Sequence, residues 1–471
     1  MKINRIYINK LTSRIGDQVV IKGWVNVRRD QGKMIFLDFR DTTGVVQGVI
    51  LPKSEAMTVG KNVREECVVE VTGKVNERPE RNKKPDTQNG DIELEILKIN
   101  VLNFAEVLPL PIDGDTREVN ESTRLKYRFL DLRTPRMQKN IKNRFEVQNF
   151  VRNYLSEHNF IEIETPILSA PTPEGSRSFV VPHRIWQGDF YALPQSPQQY
   201  KQLLMTAGFE KYFQFARCMR DEDARGDRQA EFTQLDMELS FVDEEDIMQI
   251  NEQLLIEIVK KQYPEKQIQQ IPFPRITYAE AMKKYGNDRP DIREDKDDPN
   301  LLAFVWVVDF PMFEKTDDEN VDGAGEWTFT HNPFSKPKDE HLEMFMNSEN
   351  IGDILTTQYD IVLNGFEIGG GSIRNHKPGT LRKTFEIMDY TSDQIENSFG
   401  HMLTALSYGA PPHGGIAWGF DRLMMILENE LSIREVIPFA KTGDGKDLTL
   451  GAPAAISDKQ KKELGIKITK S

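Results

Sequence analysis

Cysteine is nearly missing from this chain. Its two cysteines, Cys67 and Cys218, lie far apart in 471 residues and form no C-x-x-C pair, which excludes a disulfide framework and a cysteine zinc site and fits a reducing compartment. No apolar run approaches the length needed to span a bilayer, and the N-terminal MKINRIYINKLTSRIG lacks the apolar core of a signal peptide. A cytoplasmic location is expected. Positive charge is in deficit too: 61 Lys and Arg against 74 Asp and Glu leave a net charge of -13. A protein that grips nucleic acid over its whole surface is thereby excluded, although a local basic face is not. Internal repeats and low-complexity tracts are also missing. What remains is an ordinary globular composition, 38% hydrophobic and 29% charged, long enough for two to four domains at roughly 150 residues each.

Up to about residue 106 the chain shows short alternating runs at 18–25, 34–39, 45–50, 67–71 and 92–97, parted by Gly and Asp/Asn turns. Five short strands without a helical period suggest a small barrel, with the OB-fold the leading candidate. Arg28, Arg29, Lys33 and Arg40 form one basic group, and Arg78, Arg81, Lys83 and Lys84 a second. Phe36 could stack on an unpaired base or face the core, and the alternation does not choose. Residues 107–139 carry three prolines and little periodicity, as a hinge would. From residue 140 Val147, Val151 and Leu155 recur at helical spacing. The strand FIEIETPIL follows, stopped by Pro166, which belongs at an edge. Such a helix and edge strand can build a subunit interface or pack within the chain.

The stretch FQFARCMRDEDARGDRQAEFTQLDME, 213–238, places a dense run of charge between two strand-like flanks. Its arginines could meet a polyphosphate and its aromatics a base; a solvated hairpin is the plainer alternative. Upstream, SAPTPEGSRS is a loop able to close over a ligand with Glu174, and QSPQQYKQ opens a helix with Gln198 and Lys201 on one face, where a solvated helix lysine is the plainer reading of Lys201. After a probable helix at 244–259 come His331 in THNPFSKP, Asp360 in TTQYDIVL, and Glu367 and Arg374 in GFEIGGGSIR. Asp360 and Glu367 could hold a divalent cation with substrate phosphates, or pair with nearby cations. In GGIAWGFDRLMMILENE, Arg422 stands in the first turn of a helix, where the dipole disfavours a cation and an anionic partner would offset it. The tail from 433 reads as a strand-like segment and a lysine-rich end, without chemistry.

Taken in order, these elements resemble the bacterial-type aspartyl-tRNA synthetases, a family of class II aminoacyl-tRNA synthetases, over nearly the whole chain. The helix and strand ending at Pro166 are similar to the family's first motif, the Arg220 stretch to its second, and Gly415 to Arg422 to its third. QSPQQYKQ and GWVNVRRDQGKMIFLDFRD carry the resemblance further. It implies an α+β protein: an OB-fold anticodon-binding domain (1–106), a hinge (107–139), and a class II catalytic domain (140–471) with an antiparallel sheet flanked by helices, in a homodimer. Glu174 would hold the amino group of L-aspartate. Gln198, Lys201, His331 and Arg374 would surround the amino acid, Lys201 and Arg374 pairing its side-chain carboxylate. Arg220 and Arg422 would be the catalytic residues on ATP, with Asp221, Glu222, Gln229, Phe232, Glu367, Gly419, Phe420 and Asp421 completing the nucleotide site. Asp360 and Glu367 would hold magnesium, and Phe36, Gln47 and Glu93 would read anticodon bases. The partner tRNA would be tRNA(Asp), with tRNA(Asn) left open. Asparagine would leave Lys201 and Arg374 without their anion, a cost of several kcal/mol.

Two departures stand out. Family members usually insert a whole domain between the segment matching NDRPDIR and the strand near residue 304; here EDKDDPNLL, near 294–302, joins them directly. Catalysis is expected to survive, with loss of a peripheral tRNA contact. Ala230 and Asn332 stand where proline and histidine are common. Two other readings remain: asparagine formation by ammonia attack on the same adenylate, which the N-terminal barrel argues against, and a catalytically inert RNA-binding relative, which the intact Arg220, Arg422 and acidic pair argue against.

Overall fold

The computed structural model describes residues 4–171, 177–222, 225–315 and 325–469. The chain divides into two compact units, Met1–Pro111 and Ile112–Ser471. Of the stretch 107–139 expected as a hinge, residues through Pro111 group with the first unit. From Ile112 the chain belongs to the second unit, where Glu121–Lys126 and Arg128–Asp131 are helical.

The first unit is a closed five-stranded barrel built from β1 (Gln18–Asp30), β2 (Ile35–Asp41), β3 (Gly44–Ile50), β4 (Val68–Glu77) and β5 (Ile92–Asn103). Antiparallel neighbours supply most of the ladder, and a parallel pairing of β3 with β5, Gly48 opposite Leu94, closes it. In β2 Ile35, Leu37 and Phe39 point inward, whereas Phe36, Asp38 and Arg40 are half-buried on the outer side. The burial of Ile35, Leu37 and Phe39 thus answers the question that the alternation left open, putting Phe36 on the outer face.

The second unit is organised on an eight-stranded sheet. Its strands are β6 (Ile161–Glu162), β7 (Lys211–Met219), β8 (Glu231–Ser240), β9 (Arg275–Thr277), β10 (Phe304–Val308), β11 (Gln358–Leu363), β12 (Phe366–Ile373) and β13 (His413–Gly419), in the order β9-β10-β11-β12-β13-β8-β7-β6. The expected antiparallel pattern holds through the six inner strands, while both edge strands join in parallel. Helix α1 (Pro135–Glu157) starts where Thr134 caps it, its hydroxyl accepting the Met137 N–H, and Pro135 takes the first position, where no amide proton is needed. Val147, Val151 and Leu155 line its buried stripe. Helix α2 is Gln198–Thr206. Helix α3 (Glu244–Gln262) has an Asp243/Asp246 capping box, acidic residues in its first turn and Lys260 and Lys261 in its last, as the helix dipole favours. α1 and α3 pack together over a core that includes Leu235, Met237, Trp306 and Trp418.

The short connection near 294–302 is tied down. Gln269 accepts the Glu294 N–H and donates to Ile292 O, Lys266 Nζ donates to Pro299 O, and Gln267–Ile268 pairs in parallel with Leu301–Leu302. The tail from 433 differs from its strand-like reading: Ile433–Glu435 is a 3-10 turn and Asp458–Leu464 a short helix. No described helix is long and apolar enough to cross a membrane.

Candidate active site

Strand β8 lies between β7 and β13, so both of its edges are paired, and from Thr233 onward its side chains are buried on both faces. Leu235, Met237 and Leu239 go to the hydrophobic core, which leaves Gln234, Asp236 and Glu238 together on the other face. Buried carboxylates persist only when paired. Lys201 from α2 reaches Asp236 Oδ1 at 2.6 Å and Glu238 Oε2 at 3.2 Å. Arg374, just beyond β12, grips Glu238 through Nε at 2.9 Å and Nη2 at 3.1 Å, and its Nη1 donates to Ser372 Oγ at 2.7 Å. Both cations are almost sealed from solvent, at 1% and 2% exposure. Burial pushes the Glu238 carboxyl up, but the charges of Arg374 and Lys201 outweigh it and hold the group down at about 2. Burial prevails at Asp236, whose carboxyl is raised despite Lys201. Its Oδ2 meets no hydrogen-bond partner among the described residues.

The two expected aspartate-binding cations are therefore together, but not free. The picture of a clamp left without an anion is corrected, because Asp236 and Glu238 already balance both cations and a substrate carboxylate would have to share them. Neither acid was singled out in the sequence, although QLDME spells the alternation that puts them on one face. The site also needs a glycine: a Cβ on Gly415 would stand 2.0 Å from Met237 O and 2.1 Å from Glu238 Oε2. Gln198 opens α2 with its Nε2 buried and without a hydrogen-bond partner among the described residues. Glu174 lies outside the described residues.

Next to this cluster is a cavity of about 260 Å³. Arg220, Glu222, Gln229, Phe232, Glu367, Gly419 and Arg422 line it, together with Asp227 and Gln234, so strand β8 runs from the cavity to the buried pair. The Arg220 guanidinium stands 5.2 Å from the Phe232 ring centroid. Arg422 enters from the first turn of α4 (Phe420–Leu427), its Nη1 donating to Glu367 O and its Nη2 to Asp227 Oδ2 at 3.1 Å. Asp227 thus supplies the anionic partner that a cation at this helix end calls for. The tail contributes as well, correcting its reading as inert. Ile433 lines the cavity, and Lys441 donates its N–H to Gln229 Oε1 at 2.9 Å and its Nζ to Glu231 Oε2 at 2.7 Å.

Three expected nucleotide residues are placed differently. Phe420 is fully buried, its ring edge-on to Phe215 at 5.1 Å, so it supports the site from the core. Asp421 borders the cavity, but its Oδ2 accepts the Thr233 N–H at 2.8 Å and its Oδ1 faces Arg144. Asp221 is exposed outside the cavity lining and donates its N–H to Arg177 O at 3.0 Å.

Asp360 on β11 is buried and accepts from Gln358 Nε2 at 2.7 Å. Burial, and after it the charge of Glu367, push its carboxyl well above the usual range. A divalent cation would relieve that repulsion. No cluster of three metal-ligating side chains occurs among the described residues, so such an ion would draw most ligands from phosphate and water, as magnesium does. The acidic pair fits the ion expected there. His331 packs edge-on against Phe310 at 4.6 Å, and burial lowers its pKa against the opposing charges of Glu367 and Asp288. Its described contacts are on the side of the acidic pair and not with Lys201.

In the barrel, Phe36, Gln47 and Glu93 are all half-buried outward positions of neighbouring strands. Asp38 pairs with Gln47, and one step along the Gly48–Leu94 register brings Gln47 beside Glu93. Gln47 Oε1 accepts from Arg78 Nη2 at 3.1 Å.

Two family models match this chain: tRNA synthetases class II (D, K and N) over residues 120–443, and the OB-fold nucleic acid binding domain over 19–102. Among curated relatives, the "Aspartate--tRNA(Asp/Asn) ligase" of Hydrogenobaculum sp. is 39% identical over 590 aligned positions, covering 97% of this chain and 98% of that one. The "Aspartate--tRNA ligase" of Staphylococcus carnosus is 36% identical, covering 96% and 97%. These alignments exceed the length of this chain by more than a hundred positions. Among solved structures, asparaginyl-tRNA synthetase from Pyrococcus horikoshii complexed with asparaginyl-adenylate superposes with a TM-score of 0.74 at 22% identity, over 93% of this chain and 98% of that one. That likeness concerns the fold.

Proposed function

The chain belongs to the class II tRNA synthetases (D, K and N), and we propose that it is an aspartate–tRNA ligase working in two steps at the site just described. The observation that carries this is full-length likeness to curated aspartate–tRNA ligases at 36–39% identity. First, the α-carboxylate of L-aspartate attacks the α-phosphorus of ATP, and the bond to pyrophosphate breaks to leave aspartyl-adenylate. Then a hydroxyl of the tRNA 3′-terminal ribose attacks the aspartyl carbonyl, and AMP departs.

Each group has a task set by its charge and place. Lys201 and Arg374 hold the substrate side-chain carboxylate, oriented by Asp236 and Glu238. Gln198 lies on the same helix as Lys201 and offers its amide Nε2, which has no partner among the described residues, to the amino acid. Arg220 and Arg422 hold the phosphates in line for attack and offset the charge that grows on their oxygens, while Phe232 gives adenine a face to stack on. Asp360 and Glu367 would hold magnesium, which neutralises phosphate charge when bound. No side-chain nucleophile is required, because adenylate is already a good leaving group. In the barrel, Phe36, Gln47 and Glu93 face anticodon bases.

Aspartate-dependent exchange of labelled pyrophosphate into ATP tests the first step, and no exchange with pure protein and magnesium would refute it. The name of the Hydrogenobaculum relative, which includes both tRNAs, favours a second substrate, tRNA(Asn). Charging of both purified tRNAs decides between the two. We also propose a homodimer: Phe145 on α1, Ile161 on edge strand β6, and Ile167 and Leu168 beyond Pro166 are 60%, 50%, 41% and 52% exposed, an apolar surface that a second copy would cover. Light scattering at twice the 54.3 kDa chain mass is expected.

A further inference from the structure

Arg144 lies in the middle of α1, far from either helix end, yet its side chain is only 10% exposed. A buried guanidinium there needs partners, and all of those described come from one stretch of chain. Nη1 meets Asp421 Oδ1 at 2.5 Å and approaches Val436 O at 3.4 Å, while the guanidinium carbon stands 5.0 Å from the Phe420 ring centroid. The other Asp421 oxygen accepts the N–H of Thr233, a residue of β8 that lines the cavity. Asp421 is thereby held between the long helix and the central strand.

Phe420, Asp421 and Arg422 are consecutive in the first turn of α4. At 3.6 residues per turn they point about 100° apart. Phe420 goes to the core, Asp421 to Arg144 and Thr233, and Arg422 into the cavity. Fixing the first two directions fixes the direction in which the third side chain leaves the helix. We propose that Arg144 is a positioning residue for adenylate formation: by holding Asp421 and Phe420 it sets the rotation of α4, and through it the place of the Arg422 guanidinium at the ATP phosphates. Arg144 itself touches no substrate. The inference rests on Arg422 as a phosphate-binding residue. Its physical basis is that in-line transfer tolerates little misplacement of a charged group; an error near 1 Å can cost about 100-fold.

The test is pyrophosphate exchange with the full chain, measuring KM for ATP and for aspartate separately alongside thermal midpoints, in Arg144→Met, Arg144→Lys, Asp421→Asn and the Arg144→Met/Asp421→Asn double variant. Arg144→Met and Asp421→Asn are each expected to raise KM for ATP about tenfold, while KM for aspartate stays within about twofold. The double variant should be no worse than the poorer single one, since both losses pass through one contact. Arg144→Lys, which keeps a cation against Asp421, should recover most of the loss. Should Arg144→Met not fold, Asp421→Asn and Arg144→Lys still decide, because both keep nearly the native shape. Multiplicative effects in the double variant, equal losses for ATP and aspartate, or an unchanged KM for ATP would overturn the proposal. Arg422→Ala separates the two levels. If it leaves KM for ATP unchanged, the phosphate reading of the cavity fails; if it raises that KM while Arg144→Met does not, only the positioning role fails.

Discussion

Lys201 shows how much one buried charge can carry, since Asp236 and Glu238 both lean on it. Lys201→Met is expected to abolish aspartate-dependent exchange while ATP still binds, and to cost about 3–5 kcal/mol of stability, because two buried carboxylates lose a cation. Calorimetry with ATP and chemical denaturation read the two effects separately. Glu238 gives a pH dependence. Its carboxyl is held at about 2 in the folded chain, below its unfolded value near 4.3. The depressed value means that its contribution is complete above about pH 5 and is lost as pH falls toward 2. The stability gap between wild type and Glu238→Gln should therefore stay constant from pH 7 to about 5, then close by about 1.4 kcal/mol per pH unit below roughly 4.3. Asp227 has the opposite sense. It occupies the guanidinium of Arg422 where a phosphate would bind, so Asp227→Asn is expected to lower KM for ATP by about threefold, as the loss of a half-exposed competing charge should.

At the scale of elements, the central strands explain why two acids can stand in the middle of a sheet. β8 presents them, β13 passes so close that Gly415 has no room for a Cβ, and Arg374 donates to the Gly415 carbonyl at 3.2 Å. Gly415→Ala would press on Met237 O, which only a distortion of the strand can move, and on Glu238 Oε2, which Lys201 and Arg374 hold in place. A loss of about 3 kcal/mol or more, with weaker aspartate binding, is expected from denaturation and exchange assays. In the same region Asn332 turns out to be a local organiser: its Oδ1 accepts the Phe334 N–H at 3.0 Å, and Ser335 Oγ donates to Ser372 Oγ at 2.8 Å, which in turn accepts from Arg374. Asn332 thus fixes the turn that leads to Ser335, whose hydroxyl meets the Arg374 network at Ser372.

For the whole molecule, the division at Pro111 means that the barrel owns its core, with Val19, Ile21, Leu37, Phe39, Val69 and Leu94 buried together. A fragment ending at Pro111 is expected to unfold cooperatively alone. The fragment from Ile112 should keep pyrophosphate exchange and lose discrimination among tRNAs.

Much of this was legible in the chain itself. Strand alternation gave the barrel and helical spacing gave α1 and α3, because local periodicity is written along the sequence; the Arg220, Lys201, Arg374 and Arg422 segments, each weak alone, pointed to one site only through the resemblance to a family. Contacts between distant segments were not. Asp236 and Glu238 look like alternate polar positions until Lys201 and Arg374 arrive from elsewhere, and Phe420 looks like a neighbour of the nucleotide until the rotation of α4 sends its ring to the core. Asp227, Arg144 and the tail residues Ile433 and Lys441 gained their places in the same way. Pairing a buried charge is a property of the folded interior, where desolvation makes the partner obligatory; only tertiary structure decides which partner that is.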